Sequence, residues 1–172
     1  MAPLTDWFGG EKLTICHAVP SVWRQLTPSL PSGADLSSLR VVRFGGDTVT
    51  VQDVDLFRRR YPVTCILYNS LSCNEAGLLR LYRVDRDSNF PTGEVPVGYA
   101  VEGKEILIER PDGTQAAPNE AGQIVVRSEF LSPGYWHNPS LTALTFRPDP
   151  KAPGERLCYS GDLGMLTPDG CL

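Results

Sequence analysis

This 172-residue sequence predicts an α/β fold, in which a parallel-sheet α/β subdomain is followed by a small β-rich subdomain. Three observations carry that reading. Helix and strand signals alternate as far as about Leu81. Two short runs rich in β-branched residues flank a capped helix. From about Phe90 onward, proline and glycine become frequent and helical periodicity disappears. The boundary is placed near residues 85–93, so 1–88 is read as the α/β part and 89–172 as the β-rich part.

Pro20 opens a helix over Ser21–Leu26, with Val22 and Leu26 on one face. The run Leu39–Phe44 reads as a buried strand stopped by Gly45-Gly46. Thr50 caps the next helix, with Asp53 three residues on as a variant of the capping box. Val54, Phe57 and Tyr61 share a face of it, and Arg58-Arg59-Arg60 sit where a helix C-terminus favours cations. Pro62 ends the helix, and Val63–Tyr68 is a second buried strand. Strand, helix and strand at this spacing make a parallel unit. Both strands end in loops of small and polar residues, Gly45-Gly46-Asp47 and Asn69–Glu75, where ligands of such sheets gather. Further on, Lys104–Arg110 and Gly122–Ser128 alternate as strands, separated by turns at Pro111-Asp112-Gly113 and Pro118–Ala121.

Composition narrows the function classes. At 41% hydrophobic and 21% charged residues, the chain has the make-up of a soluble globular protein. A net charge of −4 and the lack of a basic stripe argue against a nucleic-acid surface. No stretch approaches the ~20 apolar residues that cross a bilayer. Met1–Gly10 carries Asp6 and no basic n-region, unlike a signal peptide. The five cysteines are scattered without zinc-like spacing, as expected of reduced thiols in a cytoplasmic protein. There are no internal repeats and no low-complexity tract.

Four segments occur in order: Val19-Pro20-Ser21; Tyr68-Asn69-Ser70-Leu71-Ser72-Cys73-Asn74-Glu75-Ala76-Gly77; Gly122–Arg127 leading to Leu131-Ser132-Pro133-Gly134-Tyr135-Trp136; and Ser160-Gly161-Asp162-Leu163-Gly164. Together they resemble the adenylate-forming (AMP-binding) superfamily of acyl-CoA synthetases, luciferases and nonribosomal peptide synthetase adenylation domains. Asn138-Pro139 and Leu141-Thr142 before Phe146 look most like the peptide-synthetase branch. The resemblance implies a partial α/β subdomain of the adenylation core followed by a barrel-like β-rich subdomain, covering only the central portion of such a domain.

It also implies a reaction. A carboxylic or amino acid attacks the α-phosphorus of ATP, giving an acyl-adenylate for loading onto the phosphopantetheine thiol of a carrier protein or onto CoA. Such chemistry rests on positioning and on positive charge around phosphate oxygens, with Mg2+ as the usual partner. By resemblance, Glu75 holds the metal, and Asn74 stands where a threonine usually meets the α-phosphate, so the two are the catalytic candidates. Gly46, Asp47, Asn69, Leu71, Ser72, Asn74 and Asp162 fall at nucleotide-binding positions, Asp162 as acceptor for the ribose hydroxyls. His17, Arg43, Gly45, Ser70 and Leu78 fall on the substrate pocket. Bland readings stand beside these: Glu75 as a surface residue opening a helix, Asp162 as an Asx-turn residue, Gly46 as a plain turn, and His17 as a packed, hydrogen-bonded histidine. Arg43, at the end of an otherwise apolar strand, suggests an acidic or strongly polar substrate if it faces the pocket.

The sequence departs from the family pattern at Leu71, Ser72, Cys73, Asn74 and Cys158. Neither the family's glycine- and hydroxyl-rich phosphate loop nor its lysine-bearing C-terminal domain lies within the 172 residues, so negligible adenylation is expected of them alone. The remaining parts of an adenylation domain are then the expected partners. A non-catalytic remnant or interaction module is the competing reading. A β-rich ligand-binding domain would require residues 1–85 not to form a parallel sheet.

Overall fold

The computed structural model describes residues 8, 10–91 and 93–172. Along the chain run β1 (Ile15–Ala18), α1 (Pro20–Ser29), β2 (Val41–Phe44), α2 (Val51–Arg60), β3 (Ile66–Cys73), β4 (Gly77–Val84) and β5 (Tyr99–Ala100). They are followed by β6 (Glu105–Glu109), β7 (Gly122–Arg127), α3 (Pro139–Thr145), β8 (Phe146–Pro148) and β9 (Arg156–Gly164). The strands form two sheets, ordered β1-β2-β3-β4-β5 and β6-β7-β9-β8. Two compact units result: the described residues up to Ser70 with Tyr82–Pro96, and Leu71–Leu81 with Val97–Leu172.

In the first unit β1, β2 and β3 are parallel, aligning His17 with Arg43 and Arg43 with Tyr68. The expected α/β class is therefore observed. Period-2 alternation sends Val42, Phe44 and Leu67 into a core that also holds Trp23, Leu39, Val54 and Phe57. The other face, bearing Ile15, His17, Val41, Arg43, Ile66 and Tyr68, stays half-buried or exposed. Parallel sheets are normally covered on both faces; among the described residues only one is covered here. Helix α1 starts with Pro20 at its first turn and buries Trp23 and Thr27. Trp23 sets its ring edge-on to Phe44 at 4.8 Å and donates Nε1–H to the Tyr61 hydroxyl at 2.9 Å. Helix α2 has the expected capping box at Thr50 and Asp53 and the three arginines in its last turn. Asp53 also accepts two 2.7 Å bonds from Arg24, joining the starts of both helices.

Some elements differ from the sequence reading. β1 was not expected; its four residues alternate but are too few to signal a strand. β3 runs on to Cys73, so most of the segment expected to be a loop is strand, and only residues 74–76 turn. The polar residues fit a strand because their side chains bond to backbone. Asn69 donates to the carbonyls of Val95 (2.9 Å) and Pro96 (3.1 Å), and Ser70 to that of Phe44 (2.6 Å). Glu75 consequently sits in a β-turn rather than opening a helix.

In the second unit β4 and β5 pair antiparallel through Arg80↔Ala100 and Leu81↔Tyr99. The sheet β6-β7-β9-β8 is antiparallel throughout, and its core gathers Leu79, Ile106, Ile108, Ile124, Val126 and Phe146. The strands at 105–109 and 122–127 are those the alternation predicts. β9 was missed because glycines and polar residues interrupt its pattern. The short α3, capped by the Asn138 side chain accepting from Leu141 N–H at 3.1 Å, buries no residue and so left no periodicity to read. Among the described residues, no helix is long and apolar enough to cross a membrane.

Candidate functional site

The carboxyl ends of β1 and β2, with the middle of β3, bring together four of the predicted residues of the first unit, His17, Arg43, Gly45 and Ser70, while Asn69 pairs with Phe44 on β3. Arg43 Nη2 lies 3.2 Å from His17 Nδ1. A guanidinium only donates, so Nδ1 accepts and the imidazole proton resides on Nε2. Burial, and then the Arg43 charge, lower the His17 pKa, which favours the neutral ring. Gly45 separates His17 from Ser70: a Cβ there would lie 2.9 Å from Ser70 Oγ and 3.4 Å from His17 Nε2. Only a residue without a side chain leaves that space open. Gly46 follows at φ +86°, a conformation suited to glycine, and is exposed. The Asp47 carboxylate accepts from Thr48 N–H at 2.8 Å and lies 3.6 Å from Arg24. The Asn69 amide hydrogens are used within the fold, which makes that side chain a support for β3.

In the second unit Leu71 packs partly against the core, while Ser72 and Asn74 are exposed. Leu78, half-buried, lies on β4. Glu75 occupies the turn between β3 and β4, and two bonds fix it to the segment 132–135. Its carbonyl accepts from Ser132 N–H at 2.7 Å, and its Oε1 accepts from the Tyr135 hydroxyl at 2.6 Å. The Tyr135 bond, then the backbone, hold the Glu75 carboxyl below its ordinary range against partial burial, and the Cys73 thiol adds to this. The carboxylate is thus ionised and oriented. Segment 131–135 is itself braced. Arg156 donates to the carbonyls of Leu131 (3.1 Å) and Ser132 (3.0 Å), and Thr142 Oγ1 accepts from Tyr135 N–H at 2.9 Å. Gly134 is required at its place, because a Cβ would stand 2.4 Å from Thr142 Cγ2.

Asp162 is presented by an irregularity in β9. The register with β7 shifts between Gln123 and Val125, so Ser160-Gly161-Asp162 bulge out opposite Ile124. Ser160 Oγ donates to Ile124 O at 3.0 Å and accepts from Asp162 N–H at 3.1 Å. The turn is therefore stitched by the serine, and the Asp162 side chain is exposed.

Sequence reasoning assigned no role to Tyr135, Ser132 or Arg156, although Tyr135 lies in a quoted motif; its contact with Glu75 spans 60 residues. Cys158, one of the departures from the family pattern, is fully buried in the second core. Burial raises its thiol pKa to about 12. Among the described residues, no group of three or more His, Cys, Asp and Glu could by itself hold a metal ion, so Glu75 stands as a single carboxylate. An open groove of about 420 Å³ beside Tyr135, Trp136 and Asn138 contains none of the predicted site residues.

The sequence profile of the AMP-binding enzyme family matches residues 2–136. Tyrocidine synthase 2 of Brevibacillus parabrevis is 27% identical over 154 residues, 90% of this chain and 4% of that protein. Surfactin synthase subunit 1 of Bacillus subtilis (strain 168) is 29% identical over 170 residues, 99% of this chain and 5% of that protein. The crystal structure of the nonribosomal peptide synthetase FmoA3 (S1046A) superposes with a TM-score of 0.86 at 25% identity, over 99% of this chain and 19% of that one. This chain thus spans a small part of the length of each relative.

Proposed function

Because this chain belongs to the AMP-binding enzyme family and is most like nonribosomal peptide synthetase adenylation domains, we propose that it supplies the nucleotide- and acid-binding residues of an adenylation domain. That domain activates a carboxylic or amino acid with ATP as an acyl-adenylate, for transfer to a carrier-borne thiol or CoA. The observation that supports this best is Glu75, an ionised carboxylate on a turn, fixed by Tyr135 and by the Ser132 backbone.

Magnesium is commonly held by one or two carboxylates together with waters and substrate phosphates, not by an all-protein cage. A single oriented carboxylate such as Glu75 fits that habit, with Oε1 engaged by Tyr135 and Oε2 as the metal-facing oxygen. Bound there, magnesium would neutralise charge on the phosphate oxygens. Asn74, exposed beside it, donates an amide hydrogen bond toward the α-phosphate. Asp162, on its bulge, accepts from the ribose diol. Gly46 and Asp47, with Asn69, Leu71 and Ser72, border the nucleotide. His17, Arg43, Gly45, Ser70 and Leu78 border the acid.

Equilibrium titration of the chain with AMP tests the reading. The wild type is expected to bind, and Asp162→Ala to weaken binding at least tenfold. No binding, or equal binding by the variant, overturns it.

A further inference from the structure

Arg156 is a cation with no carboxylate partner among the described residues. Its guanidinium serves three successive backbone carbonyls instead, Leu131 (3.1 Å) and Ser132 (3.0 Å) through Nη2 and Pro133 (3.4 Å) through Nη1. Hydrogen bonds from a charged donor are stronger than those between neutral groups, and a planar fork reaches neighbouring acceptors that a single ammonium does not. The segment so gripped carries both groups that fix Glu75. Ser132 N–H bonds to the Glu75 carbonyl, and the Tyr135 hydroxyl bonds to Oε1. A ring completes the arrangement. Phe146 lies under the Arg156 guanidinium at 5.5 Å and against the Tyr135 ring at 5.8 Å, so the cation bears on Tyr135 through packing as well as through backbone.

We propose that Arg156 is a positioning residue for the Glu75 carboxylate, acting through Ser132 and Tyr135. The inference rests on the magnesium-holding role proposed above for Glu75 and specifies what keeps that carboxylate in place. A metal ion pulls on the free oxygen of a carboxylate, and a carboxylate on a turn answers by rotating unless its other oxygen is held. Tyr135 holds Oε1 only while residues 131–135 stay where they are, and those residues belong to no helix or strand. Arg156 replaces the missing ladder: it stands on β9, paired opposite Pro148 of β8, and ties the irregular segment to that sheet. The same strand presents Asp162 on its bulge. One strand thereby sets both carboxylates, Asp162 directly and Glu75 through the arginine.

The test reads the Tyr135 hydroxyl proton of the 172-residue chain by nuclear magnetic resonance, the signal being identified by its loss in Tyr135→Phe. On the same samples, the magnesium concentration for half-maximal ATP binding is measured. Arg156→Gln is expected to abolish the hydroxyl signal, because the released tyrosine exchanges its proton with water. It is also expected to raise the magnesium requirement about tenfold, the lower end for groups that hold a metal ligand. AMP affinity without magnesium should fall by a much smaller factor. Arg156→Lys should keep part of both properties, since the charge remains and the fork is lost. Adding Tyr135→Phe to Arg156→Gln should raise the magnesium requirement little further, because the bond is already broken. A hydroxyl signal that survives Arg156→Gln, an unchanged magnesium requirement, or full additivity with Tyr135→Phe overturns the proposal. An equal fall in magnesium-free AMP affinity does so too, since it marks general disordering. If Arg156→Gln does not fold, Arg156→Lys decides: intermediate values support the proposal, and wild-type values overturn it. A wild type that binds no ATP at any magnesium concentration overturns the adenylation reading, while the hydroxyl signal still decides whether Arg156 holds Glu75.

Discussion

In the first unit, the residues at the strand ends are held by the strands they belong to. Asn69 and Ser70 spend their hydrogen bonds on nearby backbone carbonyls, and beneath them Phe44, Leu67 and Trp23 are sealed from solvent. In the second unit Glu75 and Asp162 stand on a turn and a bulge, and side chains position them: Tyr135 from 60 residues away, and Ser160 from two. The difference predicts where damage is expensive. The first unit is vulnerable through its core, and the second through polar groups whose loss costs little stability but changes what the site can hold.

The sharpest way to break that contrast is Trp23→Ala. This fully buried side chain packs on Phe44 and carries the hydrogen bond to Tyr61. Its removal leaves a large cavity and an orphaned hydroxyl, a loss of about 3–5 kcal/mol in urea unfolding. A cost no greater than that of Tyr135→Phe would erase the distinction between the units.

Next in size is Asp53→Asn. The carboxylate is almost completely buried. Burial pushes its pKa up, yet the Arg24 hydrogen bonds and then the Thr50 N–H and hydroxyl bring it below the ordinary value. An amide cannot accept all of these bonds, and Arg24 loses its closest partner. The expected cost is about 2 kcal/mol, that of losing a helix cap and below that of breaking a fully buried pair, because Arg24 is partly exposed. The sign with pH follows: the folded pKa is depressed, so the stabilisation is complete above the unfolded value and is lost as pH falls through the folded one. The wild-type advantage over Asp53→Asn should therefore shrink in acid.

Tyr135→Phe is the matching probe of the second unit. It removes one short hydrogen bond at the half-buried Glu75, worth about 1–2 kcal/mol. Its larger consequence is expected in ligand binding. The carboxylate gains rotational freedom, so higher magnesium is needed for half-maximal nucleotide binding, while Asp162→Ala weakens nucleotide binding at any magnesium concentration. Identical magnesium dependence in Tyr135→Phe and wild type would show that Glu75 is held by its backbone alone.

These pairs also mark what the sequence made legible. The capping box at Thr50 and Asp53, the strand at 41–44 and the helix-terminal arginines are local patterns, and each is found in the structure. The second ligand of Asp53, Arg24, lies 29 residues away, and no periodicity reports it. The continuation of β3 through Asn69 and Ser70 was hidden because polar residues usually mark a loop; here they face backbone acceptors inside the unit. Glu75 and Asp162 could be named from motifs, but the bulge that presents Asp162 depends on the pairing of β7 with β9, and the side chain that fixes Glu75 comes from 60 residues away. The Arg43–His17 contact was out of reach for the same reason, since it needs β1 to lie beside β2 in a given register, and β1 is too short to be read.

The smallest effect expected belongs to the exposed rim of the second unit, and its direction is fixed by chemistry. Arg110 grips Glu120 through Nε and Nη2, and Ala117 N–H adds a third bond at 3.0 Å. The Arg110 bond first, and the backbone bond after it, lower the Glu120 pKa from 4.5 to about 2. A depressed carboxyl contributes above its unfolded pKa and loses that contribution as pH falls to the folded one, so the window is pH 4.5 to 2. Within it, wild type should lose stability more steeply than Glu120→Gln, and the two should run parallel above it. Because the pair is solvent-exposed, the difference should be small and should fade in high salt. A difference that persists in 1 M salt would mean that the Ala117 bond and the turn geometry, rather than the charge of Arg110, hold Glu120 in place.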